Sequence, residues 1–169
     1  MEMKSLLPLA IEQITFARQY LLTLLDGISD DEWYCIPTGA STHVAWQIGH
    51  VAVAEYGLCL LRQRGRKMED LELMPSIFRK RFSRGSLPNP DPVNQASPAE
   101  LMTALHKIHE QCLAELATLS AETLSEPVDM PYAVYPNKLG SLLFCSHHEM
   151  IHAGQIGVLR RLLGKPPVR

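Results

Sequence analysis

Apolar residues recur at helical spacing over four long stretches of this 169-residue sequence, and no segment reads convincingly as a strand. The first stretch runs from Ser5, placed to cap a helix, to about Leu25. It sets Leu6, Leu9, Ile14, Ala17, Leu21 and Leu24 near one face, with Gly27 as its stop. The second covers about Thr42 to Arg64, with Trp46, His50, Val53, Gly57 and Leu60 or Leu61 in one stripe. Ser97-Pro98-Ala99-Glu100 supplies an N-cap, a proline at the first helical position and a capping-box glutamate. The third helix then runs to about Leu119, with Leu101, Leu105, Ile108, Cys112, Leu116 and Leu119 facing a core. The fourth covers about Leu139 to Leu163, where Gly164 and Lys165-Pro166-Pro167 prevent continuation. Four such helices predict an all-α four-helix bundle, expected as a single domain over residues 1–169.

Shorter signals fill the connections. Ser29-Asp30-Asp31-Glu32 reads as a capping box for a short turn. Residues 65–97 hold four of the twelve prolines and little periodicity, apart from a helical turn expected around Met74 to Phe82. Connections of that length in a compact domain are often functional. A second proline-rich connection, PVDMPYAVYP, precedes the last helix.

Composition narrows the function classes. The net charge of -2 provides no global basic field, so nucleic acid is not an expected partner. No apolar run of about 18 residues stands out, so no membrane-spanning helix is expected. The N-terminus carries Glu2, Glu12 and a proline but no small-residue cleavage site, and reads as mature protein. Cys35, Cys59, Cys112 and Cys145 are scattered without C-x-x-C spacing. They read as buried free thiols in a reducing, cytoplasmic setting.

The chemistry concentrates in His147-His148-Glu149-Met150-Ile151-His152. His148 and His152 are four residues apart, which on a helix places both imidazoles on one face, able to share one zinc-like ion. HEMIH matches the H-E-x-x-H pattern of zinc proteases, in which Glu149 would be general base. A protease needs a third protein ligand after the motif, yet the 17 residues beyond His152 contain no His, Asp or Glu. A third ligand must therefore come from upstream: His43, His50, His106, His109 or a carboxylate. His50 lies mid-helix on the stripe of Trp46, Val53 and Gly57. His106 and His109 flank the apolar stripe of their helix, and His147 points about 100° from His148. A lone inward histidine is more often a hydrogen-bonded core residue than a ligand. Two further imidazoles on an inward face are harder to satisfy without a common partner.

Around this motif, Glu149 reads as base, as a partner to a ligand, or as a helix-surface carboxylate, the last being preferred. Gln155 can hydrogen-bond near the site or satisfy the core, and Gly154 suits close helix packing. Cys145 is a conceivable soft ligand, with packing preferred. Eight of the sixteen Lys and Arg (Arg62, Arg64, Arg66, Lys67, Arg79, Lys80, Arg81 and Arg84) fall within 23 positions. They read as a solvated loop or as an anion-binding rim.

The segment HEMIHAGQIGVLRRLLGKPP (148–167) resembles the C-terminal helix of the DinB-like metal-binding proteins, with its H-x-x-x-H followed by G-Q-I. WQIGHVAVAEY (46–56) is similar to that family's W-x-x-G-H motif, and FSRGSLPNPD (82–91) and SPAEL (97–101) resemble its loop and third-helix start. The resemblance covers most of the chain in order. It implies a four-helix bundle with long crossover connections and short extra helical turns, often a homodimer. It also implies a divalent metal, zinc or nickel, held by His50, His148 and His152. It further implies action on a small molecule as a metal-dependent enzyme, either a thiol S-transferase using a low-molecular-weight thiol or a hydrolase. The alternative is a non-catalytic bundle that binds a metal or a ligand.

Overall fold

Nearly every turn of regular structure is helical, and the only strand-like pairing among the described residues is an isolated bridge between Pro127 and Asn137. The computed structural model describes residues 3–130 and 133–168. In chain order the helices are α1 (Met3–Thr23), α2 (Val44–Glu55), α3 (Asp70–Leu73), α4 (Ser76–Phe82), α5 (Pro98–Leu116), α6 (Ala121–Ser125) and α7 (Lys138–Leu162). A 3-10 turn at Asp30–Glu32 fulfils the capping-box expectation, with the Ser29 N–H donating to Glu32 Oε2 at 2.8 Å. The long helices α1, α2, α5 and α7 form the bundle: α7 packs on α1 and α2, and α2 packs on α5.

Capping explains the boundaries. His43 caps α2 by accepting the Trp46 N–H at 3.1 Å, so this helix starts at Val44 rather than Thr42. Ser97 Oγ and the Glu100 carboxylate bond reciprocally at the start of α5, as its sequence predicts. Asn137 Oδ1 accepts from Gly140 N–H at 2.9 Å to open α7. Beyond α7, Gly164 takes a φ of 77° that suits a residue without Cβ. Helix α1 begins at Met3, upstream of the expected cap; the Ser5 side chain and residues 131 and 132 of the second proline-rich connection lie outside the described residues.

The core stripe of α1 is Leu7, Ala10, Ile14, Ala17 and Leu21, continued by Leu24 in the turn just after it, all buried. Leu9, expected on that stripe, is 45% exposed, and Leu6 only half-buried. Steps of three and four residues counted back from Ile14 reach Ala10 and Leu7 instead. The α5 stripe from Leu101 to Leu116 is wholly buried, as expected, but the helix ends there and Leu119, beyond it, is only half-buried.

Helix α2 does not end at Glu55. It widens into a π-helical turn (Tyr56–Leu61) and closes with one α-turn (Arg62–Arg64). The widened turn leaves carbonyls for side chains to satisfy. Leu58 O accepts from Gln63 Nε2 at 2.9 Å and from Ser141 Oγ at 3.0 Å, and Gly57 O accepts from Arg62 Nη1 at 3.2 Å. By length and composition Val44–Arg64 could cross a membrane, with mean hydropathy 1.3, contrary to the expectation that no run qualifies. Yet 72% of that window is buried inside the bundle, so core packing accounts for its apolar character.

Between α2 and α5 the chain carries α3 and α4, the second close to the helical turn expected there. Asp70 anchors α3 through both Arg64 guanidinium nitrogens at 2.8 Å and the Tyr56 hydroxyl at 3.0 Å. Helix α4 lies on α2 where Gly49 faces the ring of Phe82; any Cβ at residue 49 would run into that ring.

Candidate metal centre

His148 and His152 stand on successive turns of α7, and His50 stands mid-way along α2, which packs against it. The three imidazoles converge. Ring centroids are 4.5 Å apart for His148 and His152, 4.8 Å for His50 and His152, and 5.3 Å for His50 and His148. One ring nitrogen from each lies within 4.8 Å of the other two.

Neighbouring groups fix how the rings face. His50 Nδ1 donates to the Phe82 carbonyl at 2.7 Å, and His152 Nδ1 donates to Gln47 Oε1 at 2.5 Å. Both partners are acceptors, so the proton of each ring sits on Nδ1 and the lone pair on Nε2. The Gln47 amide nitrogen donates to Thr42 Oγ1 at 3.0 Å, which turns its oxygen toward His152. His152 Nε2 lies 3.3 Å from His148 Nε2. The Trp46 indole stacks on His50 with centroids 4.7 Å apart and planes 6° from parallel, and is itself held by an N–H bond to Ser86 Oγ at 3.0 Å. Orienting partners of this kind characterise histidines that hold metals.

Burial keeps these rings neutral. It depresses the His50 pKa, and, with His50 close by, lowers that of His148 to about 4. His152 is lowered to about 3, by burial first and then by His148 and His50. A neutral imidazole with its lone pair turned into shared space is the form that ligates a divalent ion. The donor set therefore fits a borderline metal such as zinc or nickel.

The other sequence candidates fall elsewhere. His43 is buried as the α2 cap, with Nε2 3.0 Å from Asn89 O. His106 and His147 are exposed, and His109 Nδ1 donates to Glu55 Oε1 at 2.6 Å. Cys145 is buried among the thiols of Cys59 and Cys112, away from the imidazole group. Gln155 is exposed one turn after His152, so it does not take the core-satisfying role that was one of its two expected ones. Gly154 is exposed with open space at its Cβ position, so the close-packing role assigned to it belongs to Gly49.

Glu149 is not the surface carboxylate its position suggests. It is 2% exposed, and both its oxygens are held by Arg18, Oε1 from Nε at 2.6 Å and Oε2 from Nη2 at 3.2 Å. The Arg18 Nη2 also reaches Glu55 Oε2 at 2.6 Å, and Nη1 donates to Leu105 O at 3.0 Å. Burial raises the Glu149 pKa against the pull of Arg18. Burial pushes Glu55 the same way, but Arg18 and His109 together outweigh it and hold Glu55 below the usual range. Arg18 escaped the sequence reading although it follows Ala17 on the buried face of α1, where a charged residue demands a partner.

A cavity of about 340 Å³ opens beside the imidazoles, with His50 and His148 in its wall. Of the eight clustered basic residues, Arg62, Arg79 and Arg84 line it. Arg64 is committed to Asp70 and Glu115, Lys67 lies 3.6 Å from Glu115, and Lys80 and Arg81 flank a different depression beside His43.

The sequence model of the DinB superfamily matches residues 13–156, a span that includes all three histidines. The chain belongs to the DinB superfamily. No curated protein matches it. Within this DinB-superfamily chain, the matched region takes in α2 and α5 whole, the second half of α1 and most of α7, which agrees with the all-helical architecture.

Proposed function

We propose that this DinB-superfamily protein binds one divalent metal ion through His50, His148 and His152 and uses it to transform a small molecule. The observation that carries the reading is the convergence of three neutral imidazoles, two with the lone pair turned away from a bonded carbonyl oxygen. When bound, such an ion lowers the pKa of a coordinated water or thiol, which suits either a hydrolase or a thiol S-transferase. The chain's own groups do the positioning. Phe82 O and Gln47 Oε1 fix two ring orientations, Trp46 holds the His50 plane, and the cavity gives a small molecule access to His50 and His148. Glu149 is not the proton acceptor in this reading, because Arg18 occupies both its oxygens.

Plasma mass spectrometry of the purified protein tests the metal directly. About one zinc or nickel ion per chain is expected, lost in His148→Ala and His152→Ala and retained in His106→Ala. A wild type that takes up neither ion after incubation would sink the proposal. With the loaded protein, consumption of a small thiol by an aryl halide marks the transferase, and ester cleavage without thiol marks the hydrolase.

A further inference from the structure

The cavity beside the imidazoles has a composition unlike the rest of the surface. The protein carries a net charge of -2, yet among the described residues three arginines and no carboxylate line this cavity. The neighbouring depression around Arg64 and Lys67, by contrast, is rich in acids: Glu69, Asp70, Glu72 and Glu115. The three guanidiniums come from two places. Arg62 extends from the last turn after α2, half-buried, with Nη1 on Gly57 O at 3.2 Å. Arg79 on α4 and Arg84 just beyond it are exposed at the mouth. Val53, Leu61 and Phe144 supply apolar wall between them and His148.

We infer that this cavity is a binding site for a small organic anion, with a carboxylate or phosphate group on Arg62 and Arg79 and an apolar body against Val53, Leu61 and Phe144. Guanidinium groups bind planar anions through paired, charge-assisted N–H bonds. A volume of about 340 Å³ is at the small end of ligand sites. Among the described residues no carboxylate lines the wall, so an anionic guest meets Arg62 and Arg79 without a carboxylate of the cavity to displace. The guest's other end would then lie toward His50 and His148. The inference rests on the metal-dependent reading for what happens to the guest, whereas binding itself requires no metal.

The test uses full-length protein kept metal-free with a chelator, titrated calorimetrically at low salt with three probes: 3-phenylpropanoate, phenyl phosphate and the neutral 3-phenylpropanamide. Both anions are expected to bind at least about tenfold more tightly than the amide, a preference that weakens as salt is added. Arg79→Gln, at the exposed mouth, should cut that preference several-fold, and Arg62→Gln with Arg79→Gln should abolish it. Lys80→Gln, which faces the other depression, should leave it unchanged. A thermal melt of each variant separates lost binding from lost folding. Anions that bind no better than the amide, no binding by any probe, or a preference that survives the double substitution in folded protein would each overturn the inference. The metal proposal stands or falls separately: selective anion binding by a protein that takes up no metal would keep the cavity assignment and discard the metal one.

Discussion

At His148 and His152 burial disfavours protonation, and this ties the stability of the metal-free protein to pH. In the unfolded chain both imidazoles protonate near 6.5, whereas in the folded chain they resist until about 4 and about 3. Between roughly pH 6.5 and 4 the unfolded state therefore binds more protons, so stability falls as pH falls, and above 6.5 these groups contribute no slope. Urea midpoints measured in chelator from pH 7.5 to 4 should drop along that window, with a shallower drop in His152→Gln. A midpoint that stays flat would contradict the burial of these rings. Trp46 offers a second check, because its ring lies flat on His50. Zinc added to metal-free protein should change the tryptophan emission, and Trp46→Phe should remove that response although Trp33 remains. The histidines themselves were readable beforehand, because four-residue spacing on one helix and an inward stripe on another are properties of sequence. Their partners were not: the Phe82 carbonyl is a backbone atom, and Gln47 reaches His152 only once two helices are docked.

Among elements, the strongest constraint is a layer of charge that all four bundle helices share: Arg18 of α1, Glu55 of α2, His109 of α5 and Glu149 of α7. Removing the cation alone would strand Glu149 and leave Glu55 with His109 only, both carboxylates being buried, 2% and 1% exposed. Arg18→Met is thus expected to cost about 3 to 5 kcal/mol in denaturant unfolding. Adding Glu55→Gln and Glu149→Gln should recover part of that loss, and a single substitution without measurable cost would refute the layer. The contact between α4 and α2 is tested by Gly49→Ala, whose new methyl group meets the Phe82 ring. A loss of about 1 to 3 kcal/mol is expected. Helix extents were legible to within a few residues because their caps are local: Ser97 with Glu100 for α5, and Gly164 after α7. The burial of Glu149 was not, because its partner lies 131 residues away along the chain. Periodicity placed α1 correctly but let Leu9 onto its core face, since in a leucine-rich run several phases fit equally well until a partner helix selects one.

Across the whole molecule, the four cysteines report on packing. Three are buried and only Cys35 is exposed, against the expectation that all four lie inside. A colorimetric thiol reagent should label one thiol per native chain quickly and four after denaturation; rapid labelling of three or more in native protein would show that the bundle interior is open. The membrane-like apolar character of Val44–Arg64 is likewise a whole-molecule effect, because a helix enclosed by three others on most sides has little polar surface to display. That segment also contains the widened turn at Tyr56–Leu61, which amounts to one residue inserted into an otherwise regular helix. In an alignment of related chains, such an insertion would show as a one-residue gap that breaks no helix. Its deletion would rotate everything downstream by about 100° about the helix axis. Arg62 would swing off the cavity wall and Gln63 off Ser141, while His50, upstream, would keep its place. The two halves of this helix therefore carry separable tasks, one holding an imidazole and the other setting Arg62 in the cavity wall.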